Sequence, residues 1–454
     1  MRSNLFMLLA LAWLASAAAH ADARNDGTLA RRGYLGVRLG PVDEAVRASR
    51  NLEPRSGVHV QGLLPDSPAS GILQEGDVVL KIDGQDLEGA DAVAQAVTVI
   101  GSHKADQEAR FLVARAGGRQ EASIRFKALP LETHEPADTE YTSVEVNGNR
   151  HRVIVTRPKS TMAAPAIFYL QGISCSSVDE PLTPESPIQK FLTEFSNSGF
   201  VTYRVEKSGI GDSQGPPCAG IDFATELSGY RAALEHLASL SYVDPNRIFL
   251  FGHSMGGVFA PVLAKDFPVR GVIVYGTIGT PLKTYFLEND ARQLGLRGMS
   301  AAGIQRGAGE MTTFIDLFFV QQKTPADVLA EAPLLKGFLN VRDSDAQRFH
   351  GRHYGFWHQL DDIGLPSPWR EVPVPSLILW GAADFAASRG DHVLIAETVN
   401  SIRPGGATFV ELKDIGHGFD TARTMKDSMD RHMAGEFNAA AAAESLRWMR
   451  TLVD

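Results

Sequence analysis

The sequence predicts an α/β architecture: a mainly parallel sheet covered on both faces by helices, preceded by a small β-rich domain. Three observations predict it. From about Tyr141 onward, short apolar runs alternate with helical stretches, the pattern of strands joined by crossover helices. From Gly33 to about Phe126 the pattern is instead short alternating strands separated by Gly and Pro turns. And 454 residues, 44% hydrophobic and 21% charged, are more than one core usually holds. That composition excludes a disordered tail, a collagen-like fibre and a disulfide-dense miniprotein. A net charge of −9 with no Lys/Arg block argues against a nucleic-acid partner.

The first residues stand apart from the fold. Arg2 precedes an apolar run from Leu5 to Ala19, and Ala19-His20-Ala21 reads as a small-x-small cleavage site. Residues 1–21 are therefore expected to be a signal peptide, against a competing reading as an N-terminal membrane anchor. The run is shorter than the roughly 20 residues a spanning helix needs, and no other segment of that length lacks charges. No Cys follows the cleavage site, which argues against a lipoprotein anchor. The expectation is an exported chain, periplasmic or secreted, with no stable membrane span after processing. In an oxidising compartment its two cysteines, Cys175 and Cys218, are expected to pair rather than stay as buried thiols. Neither lies in a C-x-x-C, and two thiols alone make a poor zinc site, so no metal is expected.

Residues 22–31 look like a flexible start. Gly57 to Leu64 then alternates through Val58 and Val60, and Asp77 to Ile82 is an apolar strand closed by the Asp83-Gly84 turn. Phe111 to Ala114 and Ile124 to Phe126 flank a glycine turn as a hairpin. Between them, residues 90–100 read as a helix with Val93, Val97 and Ile100 on one stripe. Residues 129–140 are acidic, Pro-bearing and aperiodic, as a linker would be.

In that order, Gly33-Tyr34-Leu35-Gly36-Val37, then Pro65-Asp66-Ser67-Pro68-Ala69, then Gly76 to Gly84 resemble a PDZ domain of the bacterial exported type. The resemblance sets a domain at 33–128. It implies that Tyr34, Leu35, Gly36 and Val37 form a peptide-binding loop whose backbone N–H groups hold a C-terminal carboxylate. The peptide would add a strand beside Val37 to Leu39, with Val93 and Val97 as apolar contacts on the facing helix. The competing reading is a PDZ-shaped spacer with an occupied or collapsed groove.

The region 141–454 opens on a hairpin, Tyr141 to Val146 and His151 to Thr156, turned at Asn147-Gly148. Apolar strands follow at Ala166 to Leu170, Phe200 to Val205, Arg247 to Phe251, Gly271 to Tyr275, Ser376 to Trp380 and Thr408 to Leu412. Helical stretches lie at Pro187 to Asn197, Thr225 to Leu240 and Glu436 to Leu452. The most informative stretch runs from Ile248 to Gly257, where a buried strand enters Gly252-His253-Ser254-Met255-Gly256 and then a helix. A Cβ at Gly252 or Gly256 would clash in so sharp a turn. The turn presents Ser254 Oγ above the sheet at a helix N-terminus, the position of a nucleophile.

This region resembles the α/β-hydrolase fold, whose chain order is nucleophile, acid, histidine. The resemblance implies Ser254 as nucleophile, Asp384 after the Leu377-Ile378-Leu379-Trp380-Gly381 strand as acid, and His417 in Asp414-Ile415-Gly416-His417-Gly418 as base. Ser254 alone is too weak a nucleophile; His417 would take its proton, and Asp384 would fix the tautomer and stabilise the imidazolium. Asp391 and Asp414 compete for the acid's place, and His253 for the base's. The oxyanion hole would use the N–H of Met255 and of Ile173, with Gly172 as the enabling glycine beside Gln171. In this fold the strands before Cys175 and Cys218 are neighbours, so their loops would emerge side by side. Gly209-Ile210-Gly211-Asp212-Ser213-Gln214-Gly215 has the wrong spacing for a dinucleotide loop and reads as a structural turn. An insertion over about 280–372 would be a cap, with helical patterns at Phe314 to Gln322 and Thr324 to Gly337. Its Phe349 to His358 stretch, dense in aromatics and histidine, is expected to line or underlie a pocket for an apolar or aromatic acyl group.

Together these features predict an exported serine hydrolase that cleaves carboxylic esters through an acyl-enzyme, with no cofactor and with a polypeptide C-terminus as the PDZ partner. The runner-up is a serine peptidase or amidase of the same fold; from another class, a non-catalytic PDZ adaptor. A cut within 130–139 is expected to leave a soluble hydrolase.

Overall fold

The structure, a computed structural model, describes residues 23–453 apart from 51, 54, 55, 90, 91, 117, 161 and 343. The expected signal peptide and the first two residues of the 90–100 helix lie outside the described residues. Nine strands form the large sheet, in the order Ala23–Asn25, Asp138–Val146, Asn149–Arg157, Val201–Val205, Ala164–Leu170, Val243–His253, Gly271–Tyr275, Ser376–Gly381 and Ala407–Leu412. Asn149–Arg157 runs antiparallel to both its neighbours, and every other pairing is parallel. Helices on both faces explain why the central strands are continuously apolar rather than alternating. Phe168 and Leu250 point into the core under helices Phe223–Ser239, Gly256–Asp266 and Arg389–Ile402. Their chain neighbours Ile167, Phe249 and Phe251 point to the opposite core, under Pro187–Asn197 and Ala440–Val453.

The PDZ-like region has its own core. Val37–Gly40, Val58–Leu63, Val78–Ile82, Glu108–Arg115 and Gly118–Arg125 make an antiparallel sheet, and helix Ala92–Ser102 packs on it through Ala92 and Ala96. Val37–Gly40 is an edge strand.

Two expectations fail at the ends of this region. Of the expected flexible start at 22–31, the described residues 23–31 are not loose: Ala23–Asn25 pairs with Thr139 to Tyr141 as the outermost strand of the large sheet. Arg31 is buried, its Nη1 2.7 Å from both Asp179 and Asp212. Nor is 129–140 an unpatterned linker. The Asp138–Val146 strand has already begun, and buried Glu132 accepts from Glu180 N at 2.7 Å and Gln189 Nε2 at 2.7 Å, with Arg204 beside it. The PDZ-like region is thus an insertion. Its ends meet where Leu129 N donates to Arg32 O at 3.0 Å.

The cap contains helices the sequence pattern did not announce, Leu282–Leu296 and Ala301–Ile315. The first buries only Leu282 and Phe286, so its apolar stripe is weak. The second carries Gly303 and Gly307, and a Cβ at Gly307 would sit 2.6 Å from Leu294 Cδ1. Glycine here lets two helices approach at the expense of helix propensity. The expected Phe314 to Gln322 helix is instead the end of Ala301–Ile315 passing into a wide turn, Asp316–Val320, and the next helix stops at Glu331 before Pro333.

Candidate active site

Ser254 stands between the Val243–His253 strand and the Gly256–Asp266 helix with φ of 54°, a left-handed conformation that a non-glycine residue adopts only when its surroundings impose it. The imposing groups are visible. Ser254 N donates to Tyr275 O at 2.9 Å, and Gly257 N returns to Ser254 O at 2.9 Å. A Cβ at Gly256 would lie 2.0 Å from Leu170 O, so the expected need for glycine in this turn holds.

His417 lies in the loop after Ala407–Leu412, and its Nδ1–H donates to Asp384 Oδ2 at 2.9 Å. Asp384, at the end of Ser376–Gly381, is fully buried, and its other oxygen accepts from Ala386 N at 2.8 Å and Ala387 N at 2.9 Å. Burial alone would raise the Asp384 carboxyl; His417 and the backbone donors outweigh it and hold the group below its ordinary value. Burial likewise pushes His417 down, but the Asp384 charge and hydrogen bond reverse that and leave the imidazole above 6.5. With Nδ1 committed to Asp384, Nε2 is the other ring nitrogen of a side chain that lines the same cleft as Ser254.

The competing residues have other work. Asp391 caps helix Arg389–Ile402 and accepts from Gly279 N and Thr280 N, each at 3.0 Å. Asp414 is exposed in a turn. His253 has both ring nitrogens occupied: its Nε2–H donates to His417 O at 2.8 Å and its Nδ1 accepts from Tyr169 Oη at 3.1 Å. Burial pushes His253 down to about 3, so it is neutral and suited to holding the His417 backbone.

The cleft over Ser254 has two lobes of about 370 and 330 Å³ that share Ile173, Ser254 and His417. Gly172, Ser177, Ile188 and Met433 line the first; Tyr285, Phe286, Asn289, His350 and Trp357, all from the cap, line the second. Part of the aromatic 349–358 stretch therefore lines the pocket as expected, while Phe349 and Phe356 pack beneath it. Among the described residues, neither the N–H of Ile173 nor that of Met255 is engaged by another protein group. Cys175 and Cys218 are bonded, with Cα atoms 5.7 Å apart. The bridge closes a 43-residue separation, about 4 kcal/mol on the chain-entropy model.

Sequence reasoning missed Lys207, Glu226 and the buried role of Arg352, which hold the loop after Leu170. One signal was available. Helix Phe223–Ser239 buries Phe223, Tyr230, Ala233 and Leu237, and Glu226 falls on that same stripe. A carboxylate on a buried stripe demands a cation.

The Tyr34-Leu35-Gly36-Val37 segment lines a separate groove of about 650 Å³, with Val97 and Ile100 opposite. Val93, expected there, packs against the PDZ core instead. Leu182 and Thr183, from the region around the cleft, also line this groove.

The family model for the alpha/beta hydrolase family matches residues 185–425, and that for the PDZ domain residues 28–106. Over 316 residues the chain is 18% identical to the esterase EstD of Thermotoga maritima, covering 69% of this chain and 68% of that one. Over 125 residues it is 36% identical to a probable periplasmic serine endoprotease, DegP-like, of Pseudomonas savastanoi, a likeness confined to 27% of this chain and 26% of that one. Among solved structures, Est1E from Butyrivibrio proteoclasticus with ferulic acid bound is 15% identical, with a TM-score of 0.46, over 69% of this chain and 99% of that one.

Proposed function

The chain belongs to the alpha/beta hydrolase family and carries a PDZ domain, and on that premise we propose that it is a serine hydrolase that cleaves small carboxylic esters through an acyl-enzyme. The observation that carries this is Ser254 held at φ 54° in a cleft it shares with His417, whose Nδ1 is bound to buried Asp384. Ser254 Oγ attacks the ester carbonyl as its proton passes to His417 Nε2. The carbonyl oxygen, now anionic, accepts from the N–H groups of Ile173 and Met255. The C–O bond breaks, the alcohol leaves with the proton from His417, and water then repeats the sequence on the acyl-Ser254. The two lobes suit the two sides of a small ester, with an apolar or aromatic acyl group against Tyr285, Phe286 and Trp357. They favour this over a polypeptide substrate, and the endoprotease likeness, a quarter of the chain, does not carry the peptidase reading.

The site of action we propose is the periplasm or the exterior, supported by the 1–21 segment, by the Cys175–Cys218 bond and by the periplasmic proteins that the chain is in part similar to. No helix among the described residues is long and apolar enough to cross a membrane. The open edge strand Val37–Gly40, beside Val97 and Ile100, suits the C-terminal end of an extended polypeptide with an apolar last residue, held at micromolar strength.

A fluorophosphonate probe tests the chemistry. It is expected to label the wild type and not Ser254→Ala, while ester turnover disappears; His417→Ala should lose on the order of 10⁴-fold in kcat. Labelling that persists in folded Ser254→Ala overturns the assignment, and faster turnover of peptides than of esters transfers it to the amidase reading.

A further inference from the structure

The loop that follows strand Ala164–Leu170 turns its carbonyls, one after another, toward buried cations. Gly172 O accepts from Lys207 Nζ at 2.6 Å, Ser174 O from the same Nζ at 3.0 Å, and Ile173 O from Arg352 Nη1 at 3.2 Å. Both cations share one counter-ion: Glu226 Oε1 lies 3.0 Å from Lys207, and Glu226 Oε2 accepts from Arg352 Nη2 at 2.5 Å. All three charged groups have side chains no more than 2% exposed. Arg352 belongs to the cap, where it lies over the Phe356 ring at 4.0 Å, and its bond to Ile173 O ties the cap to this loop.

The consequence follows from peptide geometry. In a planar trans peptide the C=O of one residue and the N–H of the next point in opposite directions. Fixing Gly172 O on Lys207 therefore aims the Ile173 N–H the other way. Ser254 lies close against Gly172: a Cβ on Gly172 would stand 3.2 Å from Ser254 Cβ and 3.6 Å from Ser254 Oγ. Fixing Ile173 O on Arg352 holds the second side of the same residue.

We propose that Lys207 and Arg352, tied by Glu226, are positioning residues that hold the Ile173 N–H toward the oxyanion formed at Ser254. The inference rests on the serine-hydrolase reading above. Neither side chain is a catalytic residue here, because each acts from behind the loop. A neutral donor could make one such bond; two cations make three, and a charge-assisted bond is roughly twice as strong as a neutral one. Burial pushes the Lys207 ammonium down to about 8, with Glu226 pulling it back up, so it carries its charge at neutral pH. Glu226 is raised by burial, but the two cations overcome this and keep it below its ordinary value, as a carboxylate.

The test uses the full chain and a small p-nitrophenyl ester, with an alkyl boronic acid as the analogue of the tetrahedral state. Lys207→Met and Arg352→Met are each expected to lower kcat by 10- to 100-fold while KM stays within about twofold. The boronate inhibition constant should rise in parallel with the fall in kcat/KM, a split that a merely structural role would not give. Unchanged kcat in folded variants, or lower kcat with unchanged boronate affinity, overturns the proposal. If either variant fails to fold, Glu226→Gln keeps both cations and loosens them; it should lose kcat with the same parallel rise in boronate constant, and wild-type kcat there overturns the proposal equally. A wild type that hydrolyses no ester, or is not labelled at Ser254, would instead remove the reading beneath it.

Discussion

The groove beside Val37 and the cleft above Ser254 are built on the same element, a short turn of backbone with its carbonyls tied back, yet they differ in what does the tying. In the groove, Leu35 O accepts from Ala69 N at 3.1 Å and Gly36 O from Leu64 N at 2.8 Å, both neutral backbone donors. In the cleft, the carbonyls of Gly172, Ile173 and Ser174 go to Lys207 and Arg352. The groove is open, and its charged lining residues, Arg32 and Arg38, are cations with no basic side chain to take a proton. The cleft adds a strained Ser254 and a His417 braced by buried Asp384. A carboxylate that arrives already charged needs only a preformed seat. A charge that appears during a reaction needs donors held against reorganisation, and buried ions supply that stiffness at the cost of desolvation.

The largest effect should come from breaking the bracing of the cleft. Asp384→Asn is expected to lower kcat by about 10⁴-fold, since the amide no longer selects the Nδ1–H tautomer of His417. Asp414→Asn should leave the rate near wild type, and stopped assays of both variants on one ester decide the acid. Peptide binding in the groove should be unchanged by either. Next in size is Arg31, which sits between the two sites. The loop from Gly172 to Thr183 lines the cleft at its start and the groove at its end, and Asp179 in its middle is held by Arg31 at 2.7 Å. Arg31→Ala leaves Asp179 and Asp212 buried together without that cation, though Arg152 still reaches Asp212 at 3.1 Å. A loss of about 3–5 kcal/mol in a denaturant titration is expected, as for other buried pairs deprived of one partner.

How much of this the sequence disclosed depended on whether the signal was local. The elbow was legible because Gly252, Ser254 and Gly256 lie within five residues at the end of a buried strand, and the strain falls on Ser254 while the close approaches fall on the two glycines. The turn at Gly36 was legible for a similar reason, since Gly33 to Val37 lie together in the sequence and line one groove. The Lys207–Glu226–Arg352 cluster was not, because its members come from a strand end, a helix and the cap, and meet only in three dimensions. Arg31 was hidden by composition: a charged residue in a polar stretch reads as solvated until Asp179 and Asp212 are found around it. The cap helices were hidden by glycine, which lowers helix propensity where close packing restores it.

A smaller effect separates the two regions by pH. His417 must be neutral to accept the Ser254 proton, and Asp384 holds it above its ordinary 6.5. The acid limb of kcat/KM should therefore lie above pH 6.5, with activity falling tenfold per pH unit below it. In Asp384→Asn, where only the weaker pull of Asp420 still opposes burial, the residual activity should show its limb displaced to lower pH. His253, neutral throughout, should contribute no second limb. A wild-type limb below 6.5 would mean that the Asp384 charge does not reach the imidazole.

The smallest effect on chemistry should follow removal of the groove itself, provided the cut respects the insertion. A chain beginning at 139 loses the Ala23–Asn25 strand and Arg31, so the simple cut within 130–139 strips the hydrolase of its own parts. Excising 33–128 does not. Arg32 and Leu129 are already hydrogen-bonded neighbours at 3.0 Å, and a short Gly-Ser link can join them while Arg31 stays between Asp179 and Asp212. The pairing of Gly33 and Tyr34 with Ala128 and Lys127 leaves with the insertion and exposes no partner strand. The excised protein should fold and turn over small esters within a few-fold of wild-type kcat/KM, while binding of a peptide with a free apolar C-terminus disappears. Leu182 and Thr183 would lose the groove they line, and any change in KM should trace to them through the Gly172 to Thr183 loop. If the excised protein folds and yet fails on small esters, groove and cleft form one site, and the contrast between a seat for a resident charge and a hole for a developing one does not describe this molecule.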